Sequence, residues 1–295
     1  MSEDTYPARR LRIASILDPS TVFVSPSNVE LSKAVYSSKQ TIGGLNYLDA
    51  IKIYNGCVHP QTGETIFTPL RISWILPSNV LVTTAMILAS TTGNRYLISA
   101  SQVLNQSYNT AHYYANRNTS NPDSLYKIAG SYVAAVGCSI GVAGGLEGIA
   151  RKSVNMAMWR TFNPFIAVAC GTSVNMACMR SSELISGVEI FDSKTKESLG
   201  QNVQAGRIGV GVSILGRVLT AAAPLTVPQI LANYMNKTVF KSMPRFHTPF
   251  YVVYLAGVIQ VSTPWTLGLF RQRYEVERVE VGVEGEGRVE WNRGM

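Results

Sequence analysis

Five stretches of this chain are each long enough to cross the hydrocarbon of a bilayer as a helix and carry almost no charge, and no other feature limits the fold as strongly. A helix rising about 1.5 Å per residue needs about 20 residues for the crossing. The windows are residues 72–94, 128–146, 161–179, 208–236 and 249–270; only the fourth holds a formally charged side chain, Arg217. Backbone N–H and C=O groups cannot be left bare in lipid, so runs of this length are helices rather than open strands. Charged residues make up 15% of the 295-residue chain, where an ordinary soluble protein has about 25%. The deficit falls in the windows, while the N-terminal third and the tail are rich in charge. Buried helices of a soluble α protein need apolar runs of only about 10–14 residues. The pattern therefore predicts an all-α integral membrane protein with about five transmembrane helices. It divides the chain into a polar N-terminal region (1–71), a transmembrane domain (72–270) and a charged C-terminal tail (271–295), with the lipid bilayer as its medium.

Within the polar region, Asp18-Pro19-Ser20 and Ser25-Pro26-Ser27 are turn and helix-start signals, and short amphipathic helices are expected over 29–39 and 47–54. The tail over 274–290 alternates Val with Glu and contains several Gly, which suits an extended or disordered segment. Lys and Arg bias orientation. Arg151, Lys152 and Arg160 between the second and third windows, and Lys237, Lys241 and Arg245 between the fourth and fifth, are unopposed by acids after Glu147. Those turns are expected on the N-terminal side, and an odd number of spans then puts the C-terminus on the other. Small residues in the second window, Ala134, Ala135, Gly137, Gly141, Gly144 and Gly145, suit close helix packing.

The same residues exclude several function classes. A net charge of +8 is not gathered with aromatics into a nucleic-acid-binding stripe. Cys57, Cys138, Cys170 and Cys178 form no C-x-x-C pair, and His59, His112 and His247 stand far apart, so neither a metal site nor a cofactor is expected. No hydrolytic or dinucleotide motif occurs, and no catalytic residue is assigned; the chain is not expected to be an enzyme. The N-terminus lacks an apolar h-region, so targeting is expected to be internal.

Polar side chains in or beside the windows are the candidates for function. Asn105-Gln106-Ser107-Tyr108-Asn109 and Asn116-Arg117-Asn118 are amide-rich, and amides donate and accept hydrogen bonds without fixed charge; a polar interfacial loop explains them equally well. Asn175, within the third window, is a candidate pathway residue because a polar group in a span is costly unless it faces the interior or a wet cavity. Arg180 either serves a site or pairs locally with Glu183, three residues on. Arg217 precedes Pro224 and Pro228, which can interrupt a helix as transporters do at their sites. Glu147 stands four residues before Arg151, the spacing of a helix ion pair. Two N-x-Ser/Thr sequons, at Asn105 and Asn118, are read as chance matches.

In order along the chain, Asp18-Pro19, His59-Pro60-x-Thr62-Gly63-Glu64, Asn105-Gln106-Ser107-Tyr108-Asn109 and Asn116-Arg117 are followed by Asn163-Pro164-Phe165-x-Ala167-Val168-Ala169. Then come Asn175, Met179-Arg180, Glu183-Leu184-x-x-Gly187-Val188, Asp192, Arg217, Ala222-Ala223-Pro224, Pro228 and a terminal Trp291-Asn292-Arg293-Gly294-Met295. This succession resembles the sideroflexins over almost the whole chain. Two departures stand out: Ser101-Gln102-Val103 replaces the family's Trp-Gln-Trp, and Glu147 replaces an Asn. The resemblance implies a multi-pass protein of the mitochondrial inner membrane, N-terminus in the matrix and C-terminus in the intermembrane space. It would carry serine, or a related small neutral amino acid such as alanine or cysteine, for one-carbon metabolism. The candidate substrate-binding set is Asn105, Gln106, Asn109, Asn175, Arg180 and Arg217, with Arg taking the carboxylate. The alternative is a non-transporting membrane scaffold or assembly factor.

Overall fold

The computed structural model describes residues 5–117, 124–237, 247–271, 273–284 and 287–292. Three helices, α1 (Tyr6–Ile16), α2 (Pro26–Ser38) and α3 (Tyr47–Cys57), precede the long helices. The two expected amphipathic helices are α2 and α3. Each starts where a polar cap permits it: Ser25 accepts from Asn28 N with Pro26 fixing the first turn, and Asn46 accepts from Asp49 N. They pack through Val29, Ile53, Cys57 and Val58. The His59–Glu64 turn closes below them, with Gln61 N and Thr62 N donating to His59 Nδ1. His59 Nε2 is therefore the protonated nitrogen, and it donates to Arg117 O at 2.9 Å.

Six long helices follow: α4 (Ile75–Thr92), α5 (Arg95–Ala115), α6 (Leu125–Lys152), α7 (Met156–Met179), then, after the short α8 (Ser181–Ile185), α9 (Val203–Lys237) and α10 (His247–Gly268). Five of them, all but α5, are long and apolar enough to cross a membrane, and they coincide with the five apolar windows. Pro224 and Pro228 do not interrupt α9, which stays helical through both; the broken span considered from sequence is not found. Glycine placement also differs from expectation. The face of α6 turned to its neighbours carries Ser131, Ala135, Ser139 and Ala143, whereas Gly137, Gly141, Gly144 and Gly145 have open space where a side chain would lie.

The helix that the apolar windows do not predict is α5, which lies in the stretch between the first and second of them. Gly93, at φ +64°, ends α4 in a left-handed cap, and Asn94 starts α5 by accepting from Tyr96 N and Leu97 N. The helix then runs back along α4, so that Asn116 Nδ2 donates to Leu70 O, just before α4 begins. Its composition is inside-out for a soluble helix. Ser101, Gln102, Asn105 and Gln106 are buried while Tyr96, Leu97, Leu104 and Tyr114 are exposed.

Because α5 runs back along α4, the N-terminal and C-terminal segments meet at one end of the helix bundle. Arg9 Nε donates to Gly268 O at 3.0 Å, and Gln260 Nε2 donates to Leu17 O. The Lys/Arg-bearing turn between α6 and α7 lies at the opposite end, against Gly93. At the shared end four strands form an antiparallel sheet in the order β2-β1-β4-β3: β1 (Val188–Asp192), β2 (Ser198–Asn202), β3 (Arg273–Glu277) and β4 (Arg288–Asn292). The alternating tail is thus extended and paired. Ile190, Val281, Val289 and Trp291 pack the sheet on Ala205 at the start of α9.

Candidate functional site

The interior of the bundle holds both an apolar layer and buried polar side chains. The apolar layer is Val82, Met86, Val168 and Leu225, with Tyr108, Phe165 and Ala221 against them. Toward the end that carries the sheet, the side chain of most interest is Arg217. On α9 the buried residues Val210, Ser213 and Leu225 share one face, and Arg217, one turn beyond Ser213, falls on that same face. Arg217 is exposed to solvent although protein atoms are dense around it. The two observations agree if Arg217 lines an internal wet space rather than a packed core, and we read it so. The nearest electrostatic neighbours are Tyr113 and His112 on α5 and Arg180. Among the described residues no carboxylate pairs with it.

Arg180 has a different role. Its guanidinium forms a bidentate ion pair with Glu183, Nε to Oε1 at 2.7 Å and Nη2 to Oε2. Nη1 donates to Ser213 Oγ at 2.7 Å, and Ser213 Oγ donates to Gly209 O. The fork is filled by Glu183 and tied to α9, so Arg180 holds α7 and α9 together and is not an open carboxylate receptor. The local i,i+3 pair considered from sequence is the one observed.

The amide cluster divides in the same way. Gln106 Nε2 donates to Ser139 Oγ at 2.9 Å beside Gly171, where any side chain would overlap both groups. It joins α5, α6 and α7. Asn105 and Asn109 face one another, Nδ2 of Asn109 lying 3.5 Å from Oδ1 of Asn105. Nδ2 of the buried Asn105 has no hydrogen-bond partner among the described residues. Asn175, half-buried one turn beyond Gly171, makes no hydrogen bond through its side chain among the described residues. Of the six expected site residues, four (Asn105, Asn109, Asn175 and Arg217) present uncommitted polar groups inside the bundle, and two (Gln106 and Arg180) are committed to packing. His112 and Gln102, which the sequence does not single out, both lie on α5 with a buried ring nitrogen or amide oxygen that lacks a partner among the described residues. A polar 3.6-residue period from Gln102 to Asn116 within a charge-free stretch was the available signal. Asn118, the other amide of that cluster, and Arg293 to Met295 lie outside the described residues.

At the opposite end Glu147, whose side chain is fully buried, accepts from Arg160 Nη2 at 2.7 Å, Arg160 Nε at 3.1 Å and Arg151 Nε at 3.0 Å. Arg151 Nη2 also donates to Gly93 O at 2.6 Å, and Ser90 Oγ donates to Arg160 O. The expected Glu147–Arg151 pair is present, enlarged by Arg160 into a clamp on the ends of α4, α6 and α7. Among the described residues no group of three or more His, Cys, Asp or Glu is placed to hold a metal ion.

Comparison with known proteins agrees with this architecture. The sideroflexin family model matches residues 2–294. A sideroflexin of Dictyostelium discoideum is 31% identical over 91% of this chain and 84% of its own length. Sideroflexin-5 of Caenorhabditis elegans is 29% identical over 96% and 88%, and Sideroflexin-2 of Mus musculus 30% identical over 92% and 85%. No solved structure matches the chain. With a full-length family match, relatives covered almost end to end and five helices able to cross a membrane, the chain is a multi-pass membrane protein that belongs to the sideroflexin family.

Proposed function

We propose that this chain is a carrier of the mitochondrial inner membrane that moves serine or a related small neutral amino acid, such as alanine or cysteine, in support of one-carbon metabolism. The observation that carries this reading is Arg217, a guanidinium on the inward face of a membrane helix that no carboxylate of the described residues neutralises. A charge in that position costs several kcal/mol, on the order of 3 by insertion measurements, unless a wet cavity or an anionic ligand receives it. A substrate carboxylate fits the guanidinium fork. The interior carboxylates Glu147 and Glu183 are already paired, so the ammonium would be met by neutral acceptors: the amide oxygens of Asn109 and Asn175 and the ring of His112. Exchange between the two membrane faces would then proceed by alternately opening the Arg180–Glu183 and Glu147 ends. Uptake of radiolabelled serine by proteoliposomes tests the reading. Saturable uptake that disappears in Arg217→Gln supports it, and baseline uptake by folded protein overturns it.

A second reading, a membrane scaffold that transports nothing, draws support from the helical N-terminal region and the sheet gathered at one end of the bundle, a broad surface for a partner. That reading requires Arg217→Gln to leave every measurable function intact.

A further inference from the structure

We infer that the inward face of α5 is the translocation path: a ladder of uncommitted polar groups along which a small solute bearing a carboxylate passes between the membrane faces. The inference deepens the carrier reading and rests on it only for the identity of the solute. Four buried polar atoms with no hydrogen-bond partner among the described residues lie on α5 or its C-terminal cap: Gln102 Oε1, Asn105 Nδ2, His112 Nε2 and Asn116 Oδ1. At about 100° per residue, these positions and Asn109 fall within one third of the helix circumference. Gln102 and Asn116 are 14 residues apart in the sequence, about 21 Å along a helix, a large part of a hydrocarbon core about 30 Å thick.

Burying such atoms without partners costs about 1–3 kcal/mol each, and a structural helix in this position would carry leucine or alanine there. The exposed side of the same helix does carry Leu97 and Leu104. The burial is not incidental, since Gln102 and Asn105 are 1% and 6% exposed. A second element adds charge near the end of the ladder: Arg217 of α9 is within electrostatic range of His112 and Tyr113. The ladder thus offers amide and ring groups that both donate and accept along its length, with a single fixed positive charge near one end. Such a lining suits a small polar solute with a carboxylate better than an apolar one, and the fixed charge of Arg217 opposes a bare cation.

Single cysteines placed in a folded chain whose four natural cysteines are replaced, reconstituted in proteoliposomes, test the path. The variants are Gln102→Cys, Asn105→Cys, Asn109→Cys and His112→Cys on the ladder, with Leu97→Cys and Leu104→Cys on the outer face. A small hydrophilic methanethiosulfonate should label the ladder positions and leave the outer ones unlabelled, and serine should slow labelling at Asn109→Cys and His112→Cys. Labelling of the ladder without protection by serine, and without serine uptake, supports the path and overturns the amino-acid reading. An unlabelled ladder in protein that still takes up serine overturns the path and leaves the carrier reading standing. Gln102→Leu and Asn105→Leu give an independent readout, because removing an unsatisfied polar group should raise thermal stability while uptake falls. Unchanged uptake in both would overturn the inference.

Discussion

Two arginines are put to opposite uses, Arg217 standing one helix turn beyond the Ser213 that Arg180 binds. Arg180 has both arms on Glu183 and a third bond to Ser213, so Arg180→Gln leaves Glu183 without its partner and α7 untied from α9. Breaking a buried pair from one side costs about 3–5 kcal/mol, and the partial exposure of Glu183 places this case at or below the lower end. Arg217→Gln removes an unpaired charge, so the fold should hold or gain. Thermal unfolding of the detergent-solubilised protein should therefore show a lower midpoint for Arg180→Gln and an equal or higher one for Arg217→Gln, with uptake lost in the latter. Loss of stability in both would assign Arg217 to packing. Gly93 makes a second residue-scale case. Its φ of +64° and the position of Arg160, which any added methyl would overlap, both exclude a side chain. Gly93→Ala pays a left-handed penalty of about 1–2 kcal/mol and also displaces the Glu147 clamp. Gly200, at φ +88° with open space around it, carries only the first cost. The melting point should accordingly fall further for Gly93→Ala than for Gly200→Ala.

At the scale of elements, what was legible followed the range of the forces. The five apolar helices could be read because insertion into lipid is decided window by window, and the caps at Ser25 and Asn46 because they act over three residues. α5 escaped because its partners are other helices: Gln102, Asn105 and Gln106 lower its hydropathy, and only the enclosure by α4, α6 and α7 makes a polar face an inward one. The sheet escaped because β1 pairs with β4 across about a hundred residues of chain, although Val188-Glu189-Ile190 and Arg288-Val289-Glu290-Trp291 alternate as strands do. The candidate site divided likewise: Arg217 and Asn175 stood out as polar groups in apolar windows, but which amides were already committed depended on Ser139 and Gly171, known only in three dimensions.

The sheet also carries a pH response. Asp192 ends β1, and the N–H groups of Thr195 and Lys194 together with Arg278 hold its carboxyl well below the ordinary carboxylate range. A lowered folded pKa stabilises the folded state at neutral pH. That contribution starts to fade as pH falls through the unfolded value, about 4, and is gone below the folded one. Near-UV circular dichroism of the Tyr274–Trp291 contact, 5.9 Å between ring centroids, should weaken on acidification below about pH 4. In Asp192→Asn the signal should be weaker at neutral pH and less dependent on acid; an unchanged acid profile would place the response in another group.

For the molecule as a whole, the number of passes decides what the two faces can do. Five spans alone would part the N-terminal helices from the C-terminal sheet, and partners recruited by one could not reach the other. The return of α5 along α4 brings them together, with α1 against the end of α10 and the sheet on the start of α9. It also leaves the turn around Val154, which is fully exposed, at the far end. Single cysteines at Lys39, Val279 and Val154, in the background without natural cysteines, make this measurable with a membrane-impermeant maleimide on sealed vesicles of one orientation. Lys39→Cys and Val279→Cys should react from the same side, and Val154→Cys only after the membrane is opened, or the reverse set in vesicles of opposite orientation. Reaction of Lys39→Cys and Val279→Cys from opposite sides would mean that α5 does not cross, and a helix that does not cross cannot line a path through the bilayer; the topology experiment thus bears on the translocation path before any substrate is chosen.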